Sequence, residues 1–519
     1  MRFLSGLFAG VLLAGILLPS SARGQAPVPP PGRVYVFLWF DTEDYILPQS
    51  DDAAKRLAVF LTQQGVRATF KIVGEKARVL EQRGRRDVIG ALVQHEIGYH
   101  SNTHSQHPTP AEYEANLDWA SGVEEFDRRE RAGFEDVRRI FGQTPTCYGQ
   151  PGSSWASQSH AALKKWGVNV YLDEAEQVGL DGKPFWYGGL LNIFNTTEGS
   201  KLHPNDDWSN LAEAKERFQE FYLRMTSRRD GGIISLYFHP CQFIHREFWD
   251  GVNFSHGANP PREAWKLPPM KNPAESENAF KYFEELVKYM KSFPLVEFVT
   301  ASQGLQLFRD TAQRRTYSSE ELAAIAGQVD PEVSFQVHDD YVLAASEVFQ
   351  LLNTYVTSVV RKSPPQAIFL DGTPVGPAGP PTAVAAGVSP APENAVLKDG
   401  ATFEVPWSQF SRTVLDVADF LEKEKQIPSE VWLGSTAIPP ESYLVALAHV
   451  TGRLLVKAEP PESVEIAPAR LAVGKYVADD TPDLWGWVIF PPGFRAPRLM
   501  ALARLQAWTL KPARLLSGR

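Results

Sequence analysis

The sequence predicts an α/β fold built on a parallel β-sheet, most simply one closed into a barrel. Apolar segments typical of strands alternate with amphipathic segments typical of helices over residues 33–312. Residues 34–40 are almost continuously apolar, as expected of a strand covered on both faces. Polar residues follow several predicted strands, and in a barrel such residues form the rim of the active site.

The predicted elements follow one another as strand, then helix. We predict strands at residues 34–40, 66–74, 146–148, 168–172, 233–238 and 296–300. We predict helices at residues 53–64, 87–93, 111–141, 157–166, 211–227 and 276–290. Gly65 ends the first of these helices, since glycine readily leaves the helical conformation.

The pattern changes after the barrel segment. Residues 317–519 predict a smaller C-terminal accessory region of helices and short strands. A helix followed by a proline-initiated short strand occurs twice, at about residues 341–377 and 405–440, which predicts a degenerate repeat. Residues 376–399 are rich in Pro, Gly and Ala and predict a linker. This region has no His or Cys cluster, so we expect it to bind a partner or to stabilise the barrel rather than to catalyse a reaction.

The N-terminus predicts an export signal. Arg2 precedes an apolar run, residues 7–18, which is shorter than the roughly 20 residues that span a bilayer. A retained membrane anchor is the alternative. We predict a signal peptide at residues 1–24, a Pro-rich spacer at residues 25–32, and a secreted or periplasmic protein with no transmembrane segment after the signal is removed.

The composition bounds the possible partners. A chain of 519 residues with 43% hydrophobic and 22% charged residues is an ordinary globular protein of two or three domains. The net charge of −9, without a basic run, gives no reason to expect nucleic acid as a partner. The two cysteines, Cys147 and Cys241, leave both a disulfide and a pair of buried thiols open.

Two histidines and an acidic cluster predict a metal site. His100 and His104 lie in the run HEIGYHSNTH at residues 95–104, and the run FDTED at residues 40–44 ends the first strand. Two imidazole nitrogens and one carboxylate oxygen can bind a divalent cation and leave coordination positions open, as catalytic sites require. A single imidazole would more often be structural, but a pair beside acids favours ligation.

At five motifs the chain resembles the polysaccharide deacetylase superfamily, carbohydrate esterase family 4, and within it the peptidoglycan-deacetylase-like branch. The motifs are FDTED at 40–44, HEIGYHSNTH at 95–104, YGQPG at 148–152, YLD at 171–173 and LYFHP at 236–240. The resemblance implies a distorted (β/α) barrel of seven strands with one bound divalent metal ion. Zinc is the first choice, and Co, Ni and Mn also suit such ligands.

The resemblance implies that His100 and His104 are metal ligands. The family commonly has two adjacent aspartates in its first motif, whereas here Thr42 follows Asp41, so the metal carboxylate is Asp44 or Glu43. We prefer Asp44. Glu43 remains the alternative because strand alternation puts it on the face of Asp41.

The resemblance also implies the catalytic roles. Asp41 is the general base, His239 is the general acid that protonates the departing amine, and Asp173 orients His239. The third motif of the family usually carries an arginine that pairs with the base, whereas this chain has Gly149 there. Because some branches also lack that arginine, the difference bears more on the substrate than on the reaction class.

The sequence therefore predicts a metal-dependent hydrolase that removes N-acetyl groups from a cell-wall or extracellular polysaccharide. The C-terminal region would associate the enzyme with the cell wall. One alternative is hydrolysis of another C–N bond on the same barrel, such as that of a small cyclic amide. Another is an inactive barrel that binds glycans. Trp155 and Trp265 are candidates either for a sugar-binding groove or for the core.

Overall fold

The computed structural model describes residues 32–516, apart from residues 195, 205–206, 364, 380–401 and 458. The predicted signal peptide, nearly all of the spacer and most of the predicted linker lie outside the described residues. Within the described ranges, no helix is long and apolar enough to cross a membrane.

The first part of the chain alternates strands and helices, as predicted. Its strands are β1 (Val34–Thr42), β2 (Thr69–Ile72), β3 (Glu96–Tyr99), β4 (Cys147–Tyr148), β5 (Val170–Asp173), β6 (Phe185–Tyr187), β7 (Leu190–Phe194), β8 (Gly232–Phe238) and β9 (Val296–Val299). Its helices are α1 (Gln49–Gln63), α2 (Gly74–Gln82), α3 (Arg86–Leu92), α4 (Pro110–Glu114), α5 (Trp119–Phe141), α6 (Gln158–Lys165), α7 (Thr197–Leu202), α8 (Leu211–Thr226), α9 (Trp249–Phe254), α10 (Pro273–Lys291) and α11 (Ala301–Leu307).

The C-terminal part consists of helices and short strands. Its strands are β10 (Arg315–Ser318), β11 (Glu332–Val333), β12 (Gln336–Val337), β13 (Val342–Leu343), β14 (Ala367–Leu370), β15 (Phe403–Pro406), β16 (Val431–Leu433), β17 (Thr436–Ile438), β18 (Ser463–Ile466), β19 (Arg470–Leu471) and β20 (Lys511–Pro512). Its helices are α12 (Ser319–Gly327), α13 (Ala345–Val360), α14 (Trp407–Glu424), α15 (Pro440–Lys457) and α16 (Pro497–Gln506). Both copies of the predicted repeat contain a helix followed by a short strand, α13 with β14 and α14 with β16.

One curled sheet organises the first part of the chain. It contains ten strands, with a main path in the order β8, β1, β2, β3, β4, β5, β7, β6, β20, and with β9 paired to β1 off this path. The strands from β8 to β7 run parallel, whereas β6 pairs antiparallel with β7 on one side and with β20 on the other. The mixed α/β, barrel-like prediction is confirmed. The strand number is ten rather than seven, and the path through the described strands is open at both ends rather than closed.

The two faces of β1 show how the core of the sheet domain is packed on the inner and outer sides of the sheet. Tyr35, Phe37 and Trp39 belong to the inner cluster, which α11 joins. The intervening residues, such as Val36 and Leu38, pack under the helices on the outer face. This alternation follows the period of two in a strand, and it carries Asp41 toward the inside of the sheet, at the end where β1 finishes.

The C-terminal part has its own core, and its last segment returns to the sheet. A second apolar cluster is built from residues 312–466 and Trp508. Beyond it, Leu484, Phe490 and Leu499 are buried in the same core as the sheet and its helices, and β20 adds to the sheet edge beside β6. The end of the chain is therefore part of the sheet domain in space.

Candidate metal and catalytic site

The functional side chains come together at the carboxyl ends of parallel strands. Asp41 lies near the end of β1 and Glu43 just beyond it; His100 follows β3, Asp173 ends β5, and His239 follows β8. Because these strands run parallel, their carboxyl ends meet at one rim of the curled sheet. All five side chains border a single cavity.

Glu43, His100 and His104 form a buried cluster. Glu43 Oε2 lies 2.9 Å from His104 Nε2 and 3.4 Å from His100 Nε2. The candidate ligand atoms of the three residues all lie within 4.8 Å of one another. Trp249 Nε1 donates a hydrogen bond to Glu43 Oε1 at 2.8 Å, which leaves Oε2 facing the imidazoles. Two nitrogens and one oxygen directed at one point suit a divalent cation.

The hydrogen bonds of the two imidazoles support this interpretation. His100 Nδ1 lies 3.0 Å from the carbonyl oxygen of Gly149, which can only accept, so Nδ1 carries the proton and Nε2 offers a lone pair. Burial lowers the pKa of His100, which favours this neutral form. His104 Nε2 is buried without a hydrogen-bond partner while it faces Glu43. A lone pair facing a carboxylate oxygen is repulsive unless a proton or a cation lies between them, so these residues fit a metal ion.

The loop of residues 100–104 is held in an unusual backbone conformation. Ser101 and His104 have positive φ angles of 64° and 53°, which cost free energy in non-glycine residues and occur most often at functional sites. Asn102 N donates to Glu130 Oε2 of α5 at 2.7 Å and so fixes the middle of the loop. This loop brings His100 and His104 to the same carboxylate.

Asp44, our preferred third ligand, lies apart from the two histidines. Its Oδ1 accepts hydrogen bonds from Ile46 N at 2.8 Å and Leu47 N at 3.1 Å, and its Oδ2 lies 3.1 Å from His245 Nε2. Asp44 is therefore used in the turn that leads into α1. The carboxylate beside the histidine pair is Glu43, the residue that strand alternation places on the face of Asp41.

Asp173 contacts Lys71 rather than His239. Lys71 Nζ donates to Asp173 Oδ2 and lies 2.9 Å from Asp41 Oδ1. Asp173 Oδ1 accepts from Glu174 N at 2.7 Å. The predicted orienting contact between Asp173 and His239 is replaced by this ion pair. Asp41, His100 and Asp173 also bring ligand atoms within 4.8 Å of one another, but the Lys71 ammonium already supplies the positive charge between the two carboxylates.

His239 stands at the opening of the cluster. Its side chain is 20% exposed, and its Nε2 lies 3.8 Å from Asp41 Oδ2 and 3.9 Å from Glu43 Oε2. Edge-on contacts with Tyr237 and Phe248 fix the plane of the ring. A group in this position can exchange a proton with a substrate that enters the cavity.

The charges around the site keep both carboxyl groups ionised. Burial alone would raise the pKa of Asp41, but His100, Lys71 and His239 lower it below its usual value. Burial acts in the same direction on Glu43, and His104 and His239 hold its pKa well below the ordinary range. An ionised Asp41 can accept a proton, and an ionised Glu43 can bind a cation.

A cavity of about 330 Å³ opens onto these residues. Three aromatic side chains, Tyr237, Phe248 and Trp487, contribute to its walls, together with the carboxylates of Glu174 and Asp250. Its volume is near the lower end of ligand pockets, about 300–1,000 Å³. The cavity is therefore large enough for an acetamido group or a single sugar ring.

Trp487 brings the C-terminal part of the chain into the site. Its Nε1 donates to Asp250 Oδ2 at 2.8 Å, and its ring meets the His104 ring edge-on at a centroid distance of 5.2 Å. Gly152 lies directly beneath it, where a Cβ atom would come within 2.2 Å of the indole. We predicted no site residue beyond the barrel segment, so this wall is a feature that the sequence interpretation missed.

The remaining sequence candidates lie elsewhere. Trp155 is fully buried in the core and Trp265 packs against Tyr45, so neither lines the cavity. Cys147 and Cys241 are both buried and free. Two further residues were missed. Lys71 is a lysine between Phe70 and Ile72 in a predicted buried strand, which was the available signal, and Trp249 carried none.

The comparison with protein-family models agrees with the motif-based resemblance. Residues 29–171 match the family model for polysaccharide deacetylase. No curated protein matches the chain. Similar solved structures include a probable polysaccharide deacetylase from Pseudomonas aeruginosa, with 14% identity, a TM-score of 0.36, and coverage of 57% of this chain and 99% of that chain.

Two other similar solved structures are named for other properties, one as an allantoinase and one as a pseudoenzyme. The PuuE allantoinase has 13% identity and a TM-score of 0.34, with coverage of 56% of this chain and 96% of that chain. A CE4 family pseudoenzyme from Bacillus anthracis has 12% identity and a TM-score of 0.28, with coverage of 53% of this chain and 66% of that chain.

Proposed function

We propose, for a chain whose residues 29–171 match the polysaccharide deacetylase family, that it is a metal-dependent hydrolase removing N-acetyl groups from a cell-wall or extracellular polysaccharide. The observation that carries this proposal is the cluster of Glu43, His100 and His104, which has Asp41 and His239 beside it at the same cavity. A glycan-binding module has no need of a proton acceptor and a proton donor at a cation site.

In this proposal Glu43, His100 and His104 hold one divalent ion, with zinc preferred for such a donor set. The ion would polarise the amide carbonyl and lower the pKa of a water molecule to about 7. Asp41 accepts a proton from the water that attacks the carbonyl carbon. His239 gives a proton to the amide nitrogen as the C–N bond breaks, so that acetate and a free amine leave.

We also infer that the enzyme works outside the cytoplasm, in the periplasm or as a secreted protein, and that its C-terminal region contacts the cell wall. The composition of residues 1–24 supports export. Phe369 of β14 and Trp432 of β16 support wall contact: they are 58% and 48% exposed and occupy the same place in the two repeat copies. Exposed aromatic faces can stack on sugar rings.

The direct test is acetate release from a panel of N-acetylated glycans, before and after treatment with a chelator and then after metal is restored. We expect release that the chelator abolishes and that added metal recovers. The Asp41→Asn variant should keep its metal and lose turnover. Release of ammonia or a ring-opened product from a cyclic amide, with no acetate from glycans, would favour the other hydrolase. Glycan binding without any product would favour an inactive barrel.

A further inference from the structure

Lys71 lies beneath the cavity, on β2, between two acidic residues. Its side chain is fully buried and is not among the residues that line the cavity. Asp41 of β1 is its register partner in the parallel strand pair, and Lys71 Nζ lies 2.9 Å from Asp41 Oδ1. The same ammonium donates to Asp173 Oδ2. Lys71 thus bridges two carboxylates that border the cavity.

Two glycines make room for this lysine. A Cβ atom at Gly149 would lie 2.0 Å from Lys71 Nζ and 1.9 Å from Asp173 Oδ2, and one at Gly98 would lie 2.6 Å from Cys147 Sγ and 2.9 Å from Lys71 Cγ. Neither glycine has a positive φ angle, so space rather than backbone conformation accounts for them. The ammonium also lies 4.2 Å from the centroid of the Trp39 ring. Its position is therefore fixed from several sides.

Lys71 gives Asp41 its shortest contact with a cationic or imidazole group. The corresponding distances from Asp41 are 3.6 Å to His100 Nδ1 and 3.8 Å to His239 Nε2, and His100 Nδ1 already donates to the Gly149 carbonyl. Burial would lower the pKa of Lys71, but Asp173 and Asp41 raise it overall, so the side chain is charged. The ammonium forms an ion pair with Asp41 Oδ1 at 2.9 Å, although this oxygen accepts no hydrogen bond of regular geometry, so the attraction between opposite charges orients the carboxylate.

We propose that Lys71 is a positioning residue that holds the Asp41 carboxylate in the orientation from which it accepts a proton from water. This inference rests on the proposed function, in which Asp41 is the general base. A base must lie within hydrogen-bond reach of the proton that it removes, and a misplacement of about 1 Å can lower the rate about 10²-fold. Lys71 acts through Asp41 and does not meet the substrate.

The informative variant removes the lysine without leaving two buried, unpaired carboxylates. Lys71→Met alone would do so, and a buried charge without its partner is strongly destabilising. We therefore compare Lys71→Met/Asp173→Asn with Asp173→Asn alone. In the single variant Lys71 still holds Asp41, and kcat should fall by less than about tenfold. In the double variant kcat should be lower than that of Asp173→Asn by a further factor of about 10², with KM and metal content unchanged.

A second buried lysine provides the control. Lys511 Nζ lies 2.7 Å from Asp310 and 2.8 Å from Glu347, which is the same bridging arrangement at a place outside the cavity. Lys511→Met/Asp310→Asn should lower stability and leave kcat unchanged. An equal loss of kcat in this control would reduce the Lys71 effect to general destabilisation, and the inference would fail.

Three other results would also overturn the inference. The first is a kcat of the double variant within about threefold of that of Asp173→Asn. The second is a rise in KM with kcat unchanged. The third is a loss of metal that explains the loss of turnover. Crystal structures of both variants test the inference without turnover. An Asp41 carboxylate that is rotated or displaced only in the double variant supports it, whereas an unchanged carboxylate rejects it. If the wild-type protein releases no acetate, the proposed function fails separately.

Discussion

At the scale of single residues, Glu43 and Asp44 are neighbouring carboxylates with different surroundings. Glu43 faces two imidazoles, whereas Asp44 accepts two backbone hydrogen bonds at the start of a turn. We expect Glu43→Gln to abolish stoichiometric metal binding. Asp44→Asn should keep one equivalent of metal and lower the free energy of unfolding by about 1–3 kcal/mol. Elemental analysis and denaturant unfolding measure the two effects. Loss of metal from a folded Asp44→Asn protein would return the ligand role to Asp44.

His239 provides a second test at this scale. If it protonates the departing amine, His239→Ala should lower kcat by about 10²–10⁴-fold with metal content unchanged. The loss should be much smaller for an activated aryl acetate, because a phenolate leaving group departs without needing a proton. His107→Gln is the control, since His107 pairs with Glu112 outside the cavity. Equal losses on both substrates would assign His239 another role.

The sequence predicted the residue types of the site better than their partners. The pair His100 and His104 was predicted from their spacing beside acidic residues, and the role of Asp41 from the family resemblance. The choice between Glu43 and Asp44 depends on where the chain turns after β1, and the partner of Asp173 is a lysine three strands away in the sheet. Lys71 faces Asp41 because of the register between β1 and β2. Register is a tertiary property that no local pattern in one strand specifies.

At the scale of elements, helix α5 holds the histidine loop through Glu130. This carboxylate accepts hydrogen bonds from Asn102 N at 2.7 Å and Tyr99 Oη at 2.8 Å, and burial raises its pKa to about 7. Between the unfolded value and about pH 7 the folded protein therefore retains a proton that the unfolded chain has released. This contribution to stability is present at low pH and is lost as the pH rises through the folded pKa.

Glu130→Gln removes that dependence. The free energy of unfolding of the variant, relative to wild type, should rise by about 2–3 kcal/mol between pH 4.5 and pH 8. Denaturant unfolding at several pH values measures it. Glu125→Gln is the control on the same helix, because Arg128 and Arg129 lower the pKa of Glu125 to about 2 and keep it ionised throughout. A flat difference for Glu130→Gln would show that Glu130 titrates normally.

The segment around Trp487 is the second element with a testable role. Trp487 walls the cavity, so Trp487→Ala should raise KM for a short oligosaccharide about tenfold, the cost of losing roughly 1.4 kcal/mol of substrate contact. Metal content should stay at one equivalent. Trp485→Phe is the control, since Trp485 bonds to Asp480 and packs on Phe490 and Phe494 away from the cavity. An unchanged KM for Trp487→Ala would make the tryptophan a packing residue only.

The boundaries of two elements show which features the local sequence could predict and which it could not. The predicted helix at residues 111–141 is two helices, α4 and α5, because Asp118 caps the second by accepting a hydrogen bond from Ser121 N. An Asp with that capping role was available in the sequence. The hairpin of β6 and β7 was not predicted. Its two strands are only three and five residues long, and their pairing with β5 and β20 is tertiary.

At the scale of the whole molecule, two cores share one chain. Residues 312–466 build most of the second core, which contains α12 to α15. The final segment, from Val473 onward, then packs mainly in the core of the sheet domain, with Trp508 placed in the second core. The sequence could not predict this return, because apolar spacing shows that a face must be buried but not which surface covers it. Our division into a barrel and an accessory region remains a prediction about folding units.

A chain ending near Arg309 tests that division. An independent accessory region would leave such a chain soluble, metal-bound and active on a short soluble substrate. The structure predicts the opposite, because the truncated chain would expose the core positions covered by Trp485, Phe490, Leu499 and Met500. Each such side chain contributes about 1.5–3 kcal/mol on burial, and a domain has only about 5–15 kcal/mol of net stability.

A second truncation locates the effect. A chain ending near residue 470 keeps almost all of the second core but lacks Trp487, α16 and β20. If the returning segment completes the sheet domain, both truncated chains should be insoluble or unfolded by circular dichroism and should bind no metal. If only the shorter chain fails, the second core supports the sheet domain directly. If both chains stay folded and active, the cavity wall at Trp487 is dispensable and the C-terminal region is an accessory unit, because stability and turnover would then come from residues 33–309 alone.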